Sequence, residues 1–134
     1  MKPITFALST PLQNPLNGSH GHWSKHARWA RTRREAACLA ILAAIGPRPK
    51  VLARTPKVVT FTAFVGAEWD DDNLRAAIKP YRDALKDAGL INDDRPSAGH
   101  EFRYEQRIER GKGKPRGLRV TVALSELVPA GAGG

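Results

Sequence analysis

The run Val58-Val59-Thr60-Phe61-Thr62-Ala63-Phe64-Val65 limits the possible folds more than any other stretch. It is β-branched and aromatic, and near its start it is apolar on both faces. Such a strand must be covered on both sides, which places it in the middle of a sheet. A helical pattern follows. Leu74, Ile78, Tyr81, Leu85 and Ala88 recur at spacings of four, three, four and three, one face of an amphipathic helix of about five turns. Gly89 is a natural C-terminal cap. Pro80 removes one helical hydrogen bond, so the reading is one helix with a kink.

The remaining elements are shorter. Ile4 to Leu8 alternates and reads as a first strand, and Pro11 to His22 is a loop rich in Pro, Asn, Gly and Ser. Ala27 to Ile45 is helical, with Gly46-Pro47 ending it. Arg48 to Lys57 connects to the central strand, and Leu90 to Pro96 is a loop. Phe102 to Glu109 and Gly117 to Leu124 alternate around Arg110-Gly111-Lys112-Gly113-Lys114-Pro115-Arg116, which predicts a β-hairpin with a basic tip. The order is β-α-β-α-β-β: a compact α+β (mixed α/β) domain over 1–128, a small mixed sheet packed by two helices. Residues 129–134 read as a flexible tail. The length of 134 residues suits one modest core.

Charge narrows the partners. Lys+Arg number 22 and Asp+Glu 13, a net charge of +9, which suggests a polyanion, most simply nucleic acid. The first fifty residues hold eight of the cations and one acid, Glu35. Lys25, Arg28, Arg31, Arg33 and Arg34 interleave with Trp23 and Trp29, a mixture that suits phosphates and stacked bases; half-buried tryptophans beside a solvated basic helix face fit it equally well. The arginines stand in the N-terminal half of their helix, where the macrodipole disfavours cations. The single Cys38, in a small-residue run, reads as a packed core thiol and fits a reducing cytoplasm. There is no secretory signal pattern and no run long enough for a membrane helix.

Against this basic background stands Asp70-Asp71-Asp72-Asn73-Leu74, with Lys79, Asp83 and Asp93-Asp94 after it. Adjacent carboxylates repel, and a hard cation such as Mg2+ among them relieves this. The alternative is a solvated helix start, where Asp caps free N–H groups. Asp72 and Lys79 are two turns apart on one face, and a loop folding back after Gly89 brings in Asp93 or Asp94. Other motifs fail. An EF-hand loop starting at Asp70 needs Gly and Glu where this chain has Arg75 and Tyr81. The histidines His20, His22, His26 and His100 do not accompany cysteines at zinc spacing. No Walker A loop or dinucleotide fingerprint is present, so no nucleotide cofactor is expected.

The pattern Asp70-Asp71-Asp72-Asn73-Leu74, Lys79, Asp83-Ala84-Leu85, Ala88-Gly89-Leu90 and Asp93-Asp94 resembles the RusA family of Holliday-junction resolvases, found in bacteria and their prophages. The match is tightest over 70–94 and looser over the N-terminal strand, loop and basic helix. The resemblance implies that Asp70, Asp72 and Asp94 bind metal, and that Lys79, aligned from the Asp83-Ala84-Leu85 side, is the catalytic lysine. It further implies Mg2+ (Mn2+ as a substitute), a homodimer, a cytoplasmic setting and paired symmetric nicks in four-way junction DNA. Arg28, Arg31, Arg33, Arg34, Lys25, Lys112 and Lys114 then bind DNA phosphates, and Asn14 or Asn17 lines the site. Two other readings stand beside this one: a non-catalytic protein that holds branched DNA, and a nuclease of the same chemistry acting on flaps or RNA.

Overall fold

The computed structural model describes residues 3–9, 12–13, 23–46 and 53–127, with the backbone alone for 23–26 and 127. Most of the Pro11–His22 loop, the first part of the connection to the central strand and the C-terminal tail lie outside the described residues.

The elements are β1 (Ile4–Leu8), α1 (Trp23–Ile45), β2 (Lys57–Val65), α2 (Asp71–Asp87), β3 (Glu101–Ile108) and β4 (Gly117–Leu124), with 3-10 turns at Pro96–Ala98 and Ser125–Leu127. This is the α+β order expected from the sequence. The four strands form one mixed sheet in the order β1-β4-β2-β3. β2 runs parallel to β3, from Val58 opposite Glu101 to Val65 opposite Ile108. It runs antiparallel to β4, from Lys57 opposite Leu124 to Phe64 opposite Gly117. β1 closes the other edge, antiparallel to β4.

The expected hairpin does not form. β3 and β4 are separated by β2, which pairs with both. Burial explains the order. β2 is shielded on both faces, with Val59, Phe61 and Ala63 fully buried on one and Val58 and Thr62 buried on the other, so it takes an inner place. β3 carries exposed Glu101, Glu105 and Arg107, and takes the edge, where unpaired backbone groups meet water. The basic loop 109–116 therefore crosses the end of β2. Gly117, where the chain enters β4, has φ +110°, and a Cβ there would lie 2.2 Å from the Leu8 carbonyl oxygen. Only glycine fits so close to the β1 backbone.

One face of the sheet holds the core. Phe6, Val59, Phe61, Ala63, Leu118, Val120 and Val122 pack with Ala37 and Ile41 of α1 and with Leu74, Ile78, Tyr81 and Leu85 of α2. Each large apolar side chain buried this way stabilises the fold by about 1.5–3 kcal/mol. By strand alternation the opposite face carries Thr5, Thr60, Thr121, Arg103 and Arg119, outside that cluster. There the Thr5 and Thr121 hydroxyls lie 3.2 Å apart.

α2 has strong signals at both ends. Asp70 is its N-cap, accepting from the Asn73 backbone N–H at 2.8 Å, and Asp71 and Asp72 lie in the first turn, where the macrodipole favours acids. At the far end Gly89 has φ +81° and donates to the Lys86 carbonyl, while Leu90 donates to the Leu85 carbonyl, the paired bonds of a Schellman cap. The helix runs through buried Pro80 without a break. α1 is anchored to it by Arg34, whose Nε and Nη2 donate to Asp87 at 2.5 and 2.7 Å.

Candidate functional site

Because β2 and β3 are parallel, their C-terminal ends lie at the same end of the sheet. Two features meet there: the acidic run that opens α2, and the basic loop 109–116 that follows β3. Open sheets with parallel strands commonly bind ligands at such an end. The segment between β2 and α2 is pinned across it. Gln106 of β3 accepts from the Trp69 N–H at 2.9 Å and donates to the Trp69 carbonyl at 2.8 Å. Asp70 follows directly, so a β3 side chain fixes where the acidic run begins.

Asp70 uses both oxygens locally, Oδ1 on the Asn73 N–H and Oδ2 on the Asn73 side-chain amide, both at 2.8 Å. A carboxylate offers about four lone-pair sites, so capping leaves acceptor capacity on each oxygen. Asp71 pairs with Arg75 at 2.9 Å, one turn along the helix. Asp72 is exposed on the first turn. The start of the run is thus both a helix cap and an open group of carboxylates.

A second group lies further along α2. Lys79 donates through Nζ to Asp83 at 2.7 Å and to Asp94 at 2.9 Å. Asp94 also meets Arg82 Nη2 at 3.2 Å. The Schellman turn makes this possible by returning the chain after α2 along the helix side. Burial works against the Lys79 charge, but its bonds to Asp83 and Asp94 outweigh that, and the pKa is raised. The hydrogen bond from Lys79, assisted by the charges of Lys79 and Arg82, keeps the Asp94 carboxyl below the usual carboxylate value against a burial penalty. Lys79 is therefore a full cation and Asp94 a full anion at neutral pH. Asp93 points elsewhere, to Arg95, whose hydrogen bonds hold its pKa down at about 2.

The residues expected to share one centre therefore fall into two groups. Lys79 and Asp94 are in contact. Asp72 stands seven residues before Lys79, a helical rise of about 10 Å. The side chains of Asp70 and Asp72 supply the hard oxygen donors that Mg2+ takes, and one or two carboxylates with substrate phosphates suffice for such an ion. Asp94, however, is matched by cations, and among the described residues no three Asp, Glu, His or Cys side chains converge as a metal-holding group.

The expected DNA-binding residues divide too. Arg28 and Arg31 are exposed on α1, as are Lys112 and Lys114 on the basic loop. Arg34 is committed to Asp87. Arg33 donates to Gln13 Oε1 at 2.7 Å and lies over the Trp29 ring at 5.8 Å, while Trp29 donates to the same Gln13 oxygen at 2.9 Å. Arg33, Arg34 and Trp29 thus act as anchors of α1. Asn14 and Asn17 lie outside the described residues, as does the side chain of Lys25. Cys38 is half-buried against the core, where burial raises its thiol pKa.

Sequence reasoning did not assign Arg82 or Gln106. Arg82 had one signal, since it lies three residues after Lys79 and on a neighbouring part of the helix surface. Gln106 had none. Among the described residues no helix is long and apolar enough to cross a membrane. The chain matches no protein-family model and no curated protein sequence.

Proposed function

We propose that this chain is a divalent-metal-dependent endonuclease that resolves four-way DNA junctions by paired nicks, in the manner of the RusA family it resembles. The observation that carries the reading is the contact between Lys79 and Asp94. The resemblance assigns these two residues to one site, and they meet at 2.9 Å although 15 residues apart. The net charge of +9 and the exposed cations of α1 and the 109–116 loop support a polyanionic substrate.

Asp70 and Asp72 are the residues that would hold Mg2+ or Mn2+, with DNA phosphates completing the shell. Such an ion, when bound, polarises the scissile phosphoryl group and lowers the pKa of an attacking water. The chain's own contribution is positional. Asp83 and Asp94 hold the Lys79 ammonium in place and charged, and it would offset negative charge on a phosphate that takes the place of one of them. Gln106 holds the start of the acidic run. Arg28, Arg31, Lys112 and Lys114 take backbone phosphates. Two cuts in equivalent strands suit a C2 homodimer, and the DNA substrate and free thiol suit the cytoplasm of a bacterial cell.

The test is cleavage of a synthetic four-way junction in Mg2+ with linear duplex as competitor. Wild type should give paired nicks, and Asp72→Asn and Asp94→Asn should each lose at least about a hundredfold in rate, since each removes a charge assigned to the reacting centre. The pairing of Asp94 with Lys79 and Arg82 also fits a second reading, a protein that binds branched DNA without cutting it. Tight junction binding with no nicks by wild type, in Mg2+ or Mn2+, would establish that reading instead. Cleavage of flaps or RNA in preference to junctions would change the substrate and keep the chemistry.

A further inference from the structure

A groove of about 480 Å³ runs between α2 and the β3 edge, lined by Arg75, Arg82, Asp94, Glu101, Phe102 and Tyr104 among others. Its wall is a layered set of flat groups. Phe61, fully buried, stacks on Tyr104 at 5.4 Å with planes 20° apart. The Arg75 guanidinium lies over the Tyr104 ring, 4.5 Å from its centre. The set begins in the core and ends in solvent, because the Arg75 side chain is 54% exposed. Beside it Arg82 lies over Phe102 at 5.1 Å and donates to the Tyr104 hydroxyl at 2.8 Å, which fixes the ring.

The groove is not built for a bare phosphate. Arg75 is matched by Asp71 and Arg82 by Asp94, at 2.9 and 3.2 Å, so little net positive charge is left. A methylene stem such as that of lysine would cover the sheet edge as well as a guanidinium does. What a guanidinium adds is a planar outer face, on which a nucleobase can stack. A paired base inside a duplex has both faces covered by its neighbours. An unpaired base at a branch point or in a single strand has a face to offer.

We propose that this groove takes an unpaired nucleobase, stacked on the platform formed by Arg75 and Tyr104. The inference rests on the nucleic-acid reading above and adds a base-contacting site to it. Asp94 lines the groove and also touches Lys79, so a nucleotide held there enters beside the proposed chemistry.

The test uses the full chain and two fluorescent strands of about 20 units, one oligothymidylate and one made of abasic sites on the same backbone. Wild type should bind oligothymidylate about tenfold more tightly than the abasic strand, as one or two stacked bases require. Arg75→Lys keeps the charge and loses the plane, so it should bind both strands alike, at the wild-type abasic level. Arg75 sits on the α2 surface and Lys suits a helix, so this variant should fold, which circular dichroism checks. Equal binding of both strands by wild type, or an undiminished preference in Arg75→Lys, overturns the base site while leaving backbone binding intact. Binding of neither strand by wild type also overturns the base site, while the nucleic-acid reading stands or falls on junction binding and cleavage.

Discussion

Gln106 shows how much one neutral side chain can decide. Its amide closes two bonds on the Trp69 backbone and so sets the position of Asp70. Gln106→Leu keeps the volume but leaves both Trp69 groups without these partners. It should lower stability by about 1–3 kcal/mol, read as a fall in melting temperature. Junction cleavage should fall further than stability alone accounts for at a temperature where the variant stays folded. His100 is a second such residue. It accepts from the Lys57 N–H through Nδ1 at 3.2 Å, so Nε2 carries the proton and donates to Asn92 at 2.7 Å. Burial first, then the nearby Lys57 charge, lower its pKa against a smaller opposing effect of Asp93. A histidine pKa depressed by folding means that the fold prefers the neutral ring. Its contribution is complete above the unfolded value of about 6.5 and is lost as pH falls from there through the folded value. Asp87 and Asp94, with lowered pKa values, lose their contributions only below about pH 4 and do not shape that window. Wild type should therefore melt at a lower temperature at about pH 5.5 than at about pH 7.5, and His100→Gln should flatten the difference. The pairing of Lys79 with Asp83 was legible in the sequence as a four-residue helical spacing, and Asp94 as part of a motif. Gln106 and His100 were not, because the partner of a lone polar residue is set by which strand lies alongside it.

At the level of elements, α2 was almost wholly written in its own residues: the cap at Asp70, the apolar spacing and Gly89. β1, β2, β3 and β4 were also legible as strands, to within a residue or so at their ends. Their pairing was not. Alternation states that a strand has a covered face and says nothing of its neighbour, so adjacency in sequence suggested a hairpin where β2 intervenes. A local mark of the true arrangement is Gly117, where β4 comes close to β1. Gly117→Ala would force a Cβ against the Leu8 carbonyl at a backbone angle that L residues avoid. It should destabilise the fold by about 3 kcal/mol, lowering the melting temperature by about 10 °C. The same change at Gly111, also at positive φ but with nothing within 4 Å, carries the angle penalty without the contact and should cost less. α1 was legible as a helix, but its arginines carried a mixed message. Arg33 and Arg34 fasten the helix to Gln13 and Asp87, while Arg28 and Arg31 remain exposed. Composition cannot separate anchoring cations from binding ones.

For the whole molecule, the arrangement of charge carries the functional reading. A basic protein gathers acids at the start of α2, where parallel strands end and a basic loop crosses, and again at Asp93 and Asp94 in the turn after the helix. The strand order has a consequence of another kind, in how the chain is made. β4 lies between β1 and β2, yet it is the last strand synthesised. Until residue 117 leaves the ribosome, β1 has no neighbour and β2 has a bare flank beside fully buried Val59 and Phe61. The domain cannot close from its N-terminus by degrees. The nascent chain holds a parallel β2–α2–β3 unit with an open edge until the final strand inserts, and a message cut short before β4 yields a product whose exposed edge invites pairing with its own kind.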